Sequence, residues 1–353
     1  MSSFKRKELL QKLETVAPAV AAHDLSPILK HILFTGTQII AYDTKIAIAT
    51  ALKSDFKGTV PGKVLIDTLR IISHADKVEL SRSNGAVTIG GGRTRIKLES
   101  HSIEDFVFRM PVAAKNTAMI DEDFLDAIDT LLQSTVETSS EVQYTGITWI
   151  PATAKAKLFS YNNKNSMSYR QLDVPPPLRL KQRVILPALF CGEMLRLGKH
   201  AVKNRLALTQ DYAMFFADDT VLSSQHLTLP EQPTDFEKVL ARMLPNKPPI
   251  KLSKQQRPRL KIALELAARL CNIEGNEVQT YVACRNNAME FRSSSQRGEA
   301  IDKINIEHPD ISVKLKASFL HKVYDRYEDL LITDRCAILS CGPDDIYLLS
   351  CGS

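Results

Sequence analysis

The stretch IGGGRTRIKLES, residues 89–100, decides the fold. Three glycines, two arginines and a hydroxyl raise the question of a phosphate cradle. A Walker loop places lysine and Ser/Thr directly after its last glycine, at the start of a helix. Here Arg93 and Thr94 follow, and Arg95-Ile96-Lys97-Leu98-Glu99 alternates polar with apolar. Alternation of period two is the pattern of a strand. Without a helix N-terminus there is no convergent set of free N–H groups for an anion. The stretch therefore reads as a hairpin: Ala86–Ile89 out, a glycine turn, Arg95–Leu98 back.

Its surroundings recur along the chain. Residues 60–81 carry a helical stripe (Val64, Leu65, Leu69, Ile72) and then a strand at Val78-Glu79-Leu80. Residues 185–210 repeat this with Leu189, Phe190, Met194 and Leu197, then strands at 206–208, 213–216 and 221–223. Residues 313–334 do so with Phe319, Leu320, Val323 and Tyr327, then strands at 336–339 and 346–349. Each copy opens with its own helix: Arg6–Val16, Asp121–Gln133 (Phe124, Leu125, Ile128, Leu132) and Arg259–Cys271 (Ile262, Leu266, Leu270). Strands are expected between the two helices, at Ile28–Phe34 and Thr145–Trp149 among others. The expected fold class is α+β, three copies of two helices packed on antiparallel sheet. Proline-bearing stretches at Met110-Pro111 and Pro245–Pro249 mark the boundaries.

Composition narrows the function. Hydrophobic content of 44% and charged content of 24% are those of an ordinary globular chain. No apolar run reaches the roughly 18 residues that span a bilayer, and MSSFKRKELLQKLE has no signal-peptide core. A cytoplasmic protein is expected. The six cysteines, Cys191, Cys271, Cys284, Cys336, Cys341 and Cys351, form no C-x-x-C and read as buried free thiols. The net charge of +6 is a mild bias toward anionic partners. No catalytic constellation is present, and Asp218-Asp219 and Asp344-Asp345 read as turn residues rather than metal ligands. Neither enzyme activity, nor a cofactor, nor a metal is expected.

The helices carry cations away from their apolar stripes. Lys63, Arg70, His74 and Lys77 share one face, being seven, four and three apart. Arg196, Lys199, His200 and Lys203 hold the matching face in the second copy, and Lys322 and Arg326 in the third. Lys251, Lys254, Arg257, Arg259 and Lys261 cluster around the start of the third opening helix, and Lys5 and Lys12 share a face at the first. Any one such face is ordinarily just solvated. Recurrence at equivalent places suits sequence-independent contact with a nucleic-acid backbone. Acids interrupt the pattern: Asp67 and Glu193 lie on the same faces, and Asp121–Gln133 bears five acids and no base.

Several stretches resemble the bacterial sliding clamp, the beta subunit of the replicative DNA polymerase. They are Leu25-Ser26-Pro27-Ile28-Leu29, Gly91 to Leu98 followed by Glu104-Asp105-Phe106, Leu186-Pro187-Ala188-Leu189-Phe190, and Phe236-Glu237-Lys238-Val239-Leu240. The resemblance runs end to end. It implies three clamp domains, 1–111, 112–246 and 247–353, forming half of a closed ring. Two chains would close a homodimer around duplex DNA, a processivity factor tethering a DNA polymerase and placed by a clamp loader. Geometry agrees with two chains: at 8–10 Å between helix neighbours, six helices enclose a circle of about 17 Å and twelve one of about 35 Å. Only the larger leaves room, after a helix thickness of about 10 Å, for a duplex about 20 Å wide.

The resemblance implies site residues as well. Lys5, Lys12, Arg70, His74, Lys77, Arg196, Lys199, Lys203, Arg257, Lys261, Lys322 and Arg326 would face DNA, with His23 at the rim. A partner-peptide pocket would use Asn163, Lys164, Asn165, Ser166, Met167, Pro233, Val239, Leu349 and Cys351. Phe106 and Leu270 align with the dimer contact, where the first domain of one chain adjoins the third of the other through sheet edges. The pocket departs from the family: NNKNSM stands at residues 162–167 and the tail ends SCGS. These departures and the positive charge suggest a phage or mobile-element clamp. The alternative reading is a monomeric clamp-like adaptor that binds replication proteins without encircling DNA.

Overall fold

The computed structural model describes residues 2–22, 26–83, 85–106, 108, 110, 116–162, 166–209, 211–244, 250–272, 280–295 and 298–351, with only the backbone at 270–272, 295 and 298. The elements begin with β1 (Ser2–Lys5), α1 (Arg6–Val16), β2 (His31–Phe34), β3 (Gln38–Tyr42), β4 (Ile46–Ala51), β5 (Gly58–Pro61), α2 (Gly62–Ile71), β6 (Lys77–Ser83), β7 (Ala86–Gly91) and β8 (Thr94–Glu99). The same order returns as β9 (Ala118–Met119), α3 (Glu122–Leu132), β10 (Gly146–Pro151), β11 (Lys155–Asn162), β12 (Ser166–Asp173), β13 (Val184–Pro187), α4 (Ala188–Gly198), β14 (Asn204–Leu208), β15 (Tyr212–Ala217) and β16 (Thr220–Gln225). After α5 (Phe236–Met243) it returns again: β17 (Ile250–Lys251), α6 (Gln256–Asn272), β18 (Thr280–Arg285), β19 (Ala288–Ser295), β20 (Gly298–Asn305), β21 (Ile311–Leu315), α7 (Ala317–Val323), β22 (Asp329–Ile332), β23 (Cys336–Ser340) and β24 (Asp345–Ser350).

By Cα proximity the chain divides into two compact units. One comprises Met1–Leu125, Pro175–Leu180 and Leu189–His226; the other Asp126–Val174, Lys181–Ala188 and Leu227–Ser353. Each is built on one eight-stranded and one four-stranded antiparallel sheet. The first has the orders β5-β2-β3-β4-β16-β15-β14-β9 and β1-β6-β7-β8. The second has β13-β10-β11-β12-β24-β23-β22-β17 and β20-β19-β18-β21. The hydrogen-bonded ladder thus runs across the ends of the repeats, through β4–β16 in the first unit and β12–β24 in the second.

The opening stretch is a hairpin, with β7 and β8 paired from Ala86↔Glu99 to Gly91↔Thr94. Its glycines have separate jobs. Gly92 takes φ +60° in the two-residue turn, a left-handed conformation that a Cβ disfavours. A Cβ on Gly91 would stand 2.8 Å from Ile72 Cδ1, where the end of α2 rests on the strand.

Burial corrects parts of the sequence pattern. Leu65, Leu69 and Ile72 are buried, whereas Val64 is exposed; on α4 Phe190, Met194 and Leu197 are buried and Leu189 is exposed. On α6 the expected stripe is turned: Ile262 is 54% and Leu266 44% exposed. Leu260, Ala263, Leu264 and Ala267 go into the core instead, against β19, β20 and α7. Alanines let a helix approach a sheet closely, and a search for large apolar residues passes over them. Residues 27–30 form a 3-10 turn, so the strand expected over Ile28–Phe34 begins only at His31. Residues 142–145 do likewise before β10. Cys191, Cys284 and Cys336 are buried free thiols, but Cys341 is exposed and Cys351 half-buried; the Cys271 side chain lies outside the described residues.

Two buried histidines are held neutral. His31 is 5% exposed and its ring lies 4.6 Å from that of His101. Burial, and then the like charge of His101, push its pKa down to about 4. His308 accepts the Ile332 N–H at 2.9 Å through Nε2, and Nδ1, 2.9 Å from the Pro309 carbonyl, is its donor. Burial lowers its pKa too.

Candidate functional site

The cations of the expected DNA face fall into two groups. The first is committed to protein partners. In the first unit Lys12 on α1 pairs with Asp219 in the β15–β16 turn. Arg70 on α2 reaches Glu14 on α1 at 2.8 Å and Asp67 at 3.4 Å. Arg196 on α4 pairs with Glu193 at 2.6 Å and donates to the Thr15 carbonyl, at the end of α1, at 2.8 Å. Lys5 pairs with Glu8 at 2.7 Å. In the second unit Lys261 on α6 meets Asp325 at 2.6 Å, and Arg257 donates to the Tyr327 carbonyl at 2.9 Å. Arg326 is the most constrained: it pairs with Asp129 and donates to Thr130 Oγ1 at 2.7 Å and the Asp126 carbonyl at 3.1 Å. Its guanidinium fastens the turn after α7 to α3.

The second group is exposed and has no ion-pair partner among the described residues: His74, Lys77, Lys199, Lys203 and Lys322. Lys322 lies over the Phe319 ring at 5.6 Å. His23 lies outside the described residues. Helical spacing put both groups on helix faces, but α2 ends at Ile71 and α4 at Gly198, so His74, Lys199 and Lys203 lie beyond the helices and Lys77 on β6; nor did the spacing reveal the division between the groups. Its signals are Glu14, Asp129, Asp219 and Asp325, acids brought in mostly by distant segments. Arg6, not among the expected residues, donates to the carbonyls of Leu69 (3.0 Å) and Ala75 (3.1 Å) at the end of α2, where a cation also favours the helix dipole.

The acids weighed as metal ligands are occupied as well. Asp218 accepts the backbone N–H groups of Val202 (3.1 Å) and Lys203 (3.0 Å). Asp344 accepts from Gln171 at 3.2 Å, and Asp345 pairs with Arg170.

The partner-pocket residues divide by strand face. Met167 on β12 and Val239 on α5 belong to one apolar cluster with Phe159, Phe236 and Leu348. Leu349 points to the opposite face of the sheet, into the core of α6 and α7, and Cys351 packs against that core. Ser166 is buried opposite Leu349, Pro233 is exposed, and Asn163, Lys164 and Asn165 lie outside the described residues. Alternation along β12 and β24 separates these residues, since neighbours on a strand face opposite ways.

Of the two expected dimer residues, Phe106 is 1% exposed in a core cluster with Leu33, Ile40 and Ala49. The Leu270 side chain lies outside the described residues; its position follows Ile262 and Leu266 at a spacing of four along α6.

Among known proteins, residues 2–110 match the family model for the DNA polymerase III beta subunit, N-terminal domain. No curated protein matches the sequence. Solved structures match over the whole chain. A DnaN sliding clamp from Bartonella birtlesii, bound to griselimycin, is 16% identical with a TM-score of 0.84, covering 100% of this chain and 99% of that one. The DNA polymerase III subunit beta from Pseudomonas aeruginosa is 17% identical with a TM-score of 0.81, covering 100% of both. That from Thermotoga maritima is 15% identical with a TM-score of 0.78, again covering 100% of both. Residues 2–110 are thus similar to the N-terminal domain of the beta subunit, and the whole chain has the fold of the solved bacterial sliding clamps, at low sequence identity.

Proposed function

We propose that the protein is a sliding clamp: a homodimeric ring that encircles duplex DNA without reading its sequence and tethers a DNA polymerase as a processivity factor. The observation that carries this reading is the end-to-end fold match together with the family match of residues 2–110. In this reading residues 1–111, 112–246 and 247–353 are the three domains, and the repeat of element order supports them. Exposed Lys199, Lys203, His74, Lys77 and Lys322 supply backbone contacts, while the committed arginines mainly hold the helices in place. Retention is topological, so weak contacts are compatible with sliding, and the tether raises the polymerase's effective concentration. A clamp loader opens the ring. The protein works in the cytoplasm, is not itself an enzyme, and serves a phage or mobile replicon.

Ring closure is assigned to the terminal strands of the four-stranded sheets, β8 of one chain meeting β20 of the other. Ile96 and Leu98 on β8 are half-buried and Ile301 on β20 is 49% exposed. An unpaired edge with apolar side chains is a template for pairing. The exposed Ile262 and Leu266 of α6 extend the apolar surface.

The test is light scattering at micromolar concentration, then retention on DNA. Twice the chain mass is expected, with loaded protein staying on closed circles and leaving linear DNA through its ends. A monomer that still binds replication-protein peptides would instead establish the adaptor reading. Equal retention on linear and circular DNA at high salt, with ends unblocked, would replace the ring by direct binding.

A further inference from the structure

The two eight-stranded sheets repeat the same junction, but not the same filling. In the second unit β12–β24 pairs Met167 with Leu348, and both lie in the apolar cluster covered by Phe236 and Val239 of α5. In the first unit β4–β16 pairs Ala47 with Ser223. These are the same positions of the repeat, so a methyl and a hydroxyl stand where the second unit has two large side chains. Ser223 lines a cavity of about 270 Å³ walled by Tyr42, Phe108 and Tyr212, with Lys45 and Gln225 at its rim.

The cavity is built. Tyr42 and Phe108 are stacked with ring centroids 4.2 Å apart. The Tyr212 hydroxyl is fixed by Gln225 Nε2 at 2.8 Å. Strand alternation puts Ser223 on the same sheet face as Tyr212 and Gln225, since Ser223 pairs with Met214 and Gln225 with Tyr212. Ser223 is 1% exposed, and its Oγ has no hydrogen-bond partner among the described residues. A buried hydroxyl left unpaired costs stability, so an occupant that pairs it gains what the empty site lacks. Aromatic walls around a polar floor suit a ring with a polar tip.

We infer that this cavity is a second partner site, taking a tyrosine side chain from an extended segment of a partner protein. The ring lies among Tyr42, Phe108 and Tyr212, and the phenol hydroxyl exchanges a hydrogen bond with Ser223 Oγ, which a change of χ1 turns from its closed-off position toward the cavity. That the occupant is peptide rather than a free small molecule rests on the partner-peptide reading of the corresponding place in the second unit.

Methionine-methyl NMR of the full chain reads both places at once. Met214 is the cross-strand neighbour of Ser223, and Met167 stands at the junction of the second unit, opposite Leu348. The probes are N-acetyl-tyrosinamide, N-acetyl-phenylalaninamide and free phenol at millimolar concentration. Tyrosinamide should shift Met214 and bind about three- to tenfold more tightly than phenylalaninamide, the value of one neutral hydrogen bond. Ser223→Ala should abolish that preference while the phenylalaninamide shift persists. No Met214 shift, or a preference that survives Ser223→Ala, overturns the proposal. Phenol binding as tightly as tyrosinamide overturns its peptide part. A shift confined to Met167 removes the second site and leaves the partner-peptide reading of the second unit intact; a shift confined to Met214 counts against that reading and overturns the peptide part of the proposal with it, leaving only the cavity's preference for a phenol.

Discussion

Neutralising Lys199 and Lys203 together tests the DNA-facing assignment where it is sharpest. Both side chains are exposed and free of ion pairs among the described residues, so their charge is available to phosphate. Each cation that displaces a condensed counterion contributes about 0.9 to the slope of log K against log salt. Lys199→Gln with Lys203→Gln should therefore make the slope less negative by up to about 1.8. Between 50 and 200 mM salt that removes about tenfold of the wild-type decline in affinity. In the proposed ring, contacts separated by water would be screened over about 8 Å at physiological salt, so the measured change should fall below this ceiling. Arg326→Gln is the control. Its guanidinium is spent on Asp129, Thr130 and Asp126, so it should cost about 2–3 kcal/mol of stability and alter the slope far less. The assay is fluorescence anisotropy on closed circular and linear duplexes of several sequences over a salt series, with denaturant melts of each variant. A larger slope change for Arg326→Gln than for the double lysine variant would refute the division into free and committed cations. An effect confined to one DNA sequence would refute backbone contact.

Phe106→Ala should lower stability by about 3–5 kcal/mol through the cavity it opens without converting a dimer to monomer; a stable monomeric variant would return Phe106 to the interface. Gly146→Ala would bring a Cβ to 2.4 Å from the Leu186 carbonyl oxygen, forcing β10 away from β13; a thermal midpoint equal to wild type would mean the strands part at no cost. His31 and His308 have folded pKa values below the ordinary 6.5 of a solvated imidazole. Below the ordinary value the unfolded chain binds more protons, so the stabilisation from His31 is whole above about pH 6.5 and fades as pH falls toward 4, and that from His308 changes in the same direction. His31→Phe should flatten the fall in urea midpoint between about pH 7 and 5, and an undiminished fall in the variant would remove His31 from the account.

The sequence by itself determined the elements and their repetition. Period-two alternation identified β7–β8 as a hairpin, and apolar spacing placed all six repeated helices close to where they form, because these signals depend on a residue's near neighbours. It reached the turn at Gly92 for the same reason. Tertiary structure decided everything that depends on a distant segment. Which face of α6 is buried was set by alanines fitting against β19 and β20, so Ile262 and Leu266 were left outside. Phe106 became a core residue because β2–β4 close over it. Arg326, Arg70 and Lys12 differ from Lys199 and Lys203 only through acids that folding brings to them, and a charge has the same appearance in sequence whether it is paired or free. The cavity beside Ser223 takes its walls from segments some 170 residues apart in the chain, with Tyr42 and Lys45 from one and Tyr212 and Gln225 from the other. No local pattern records that, since the volume left open belongs to the two segments and to neither alone.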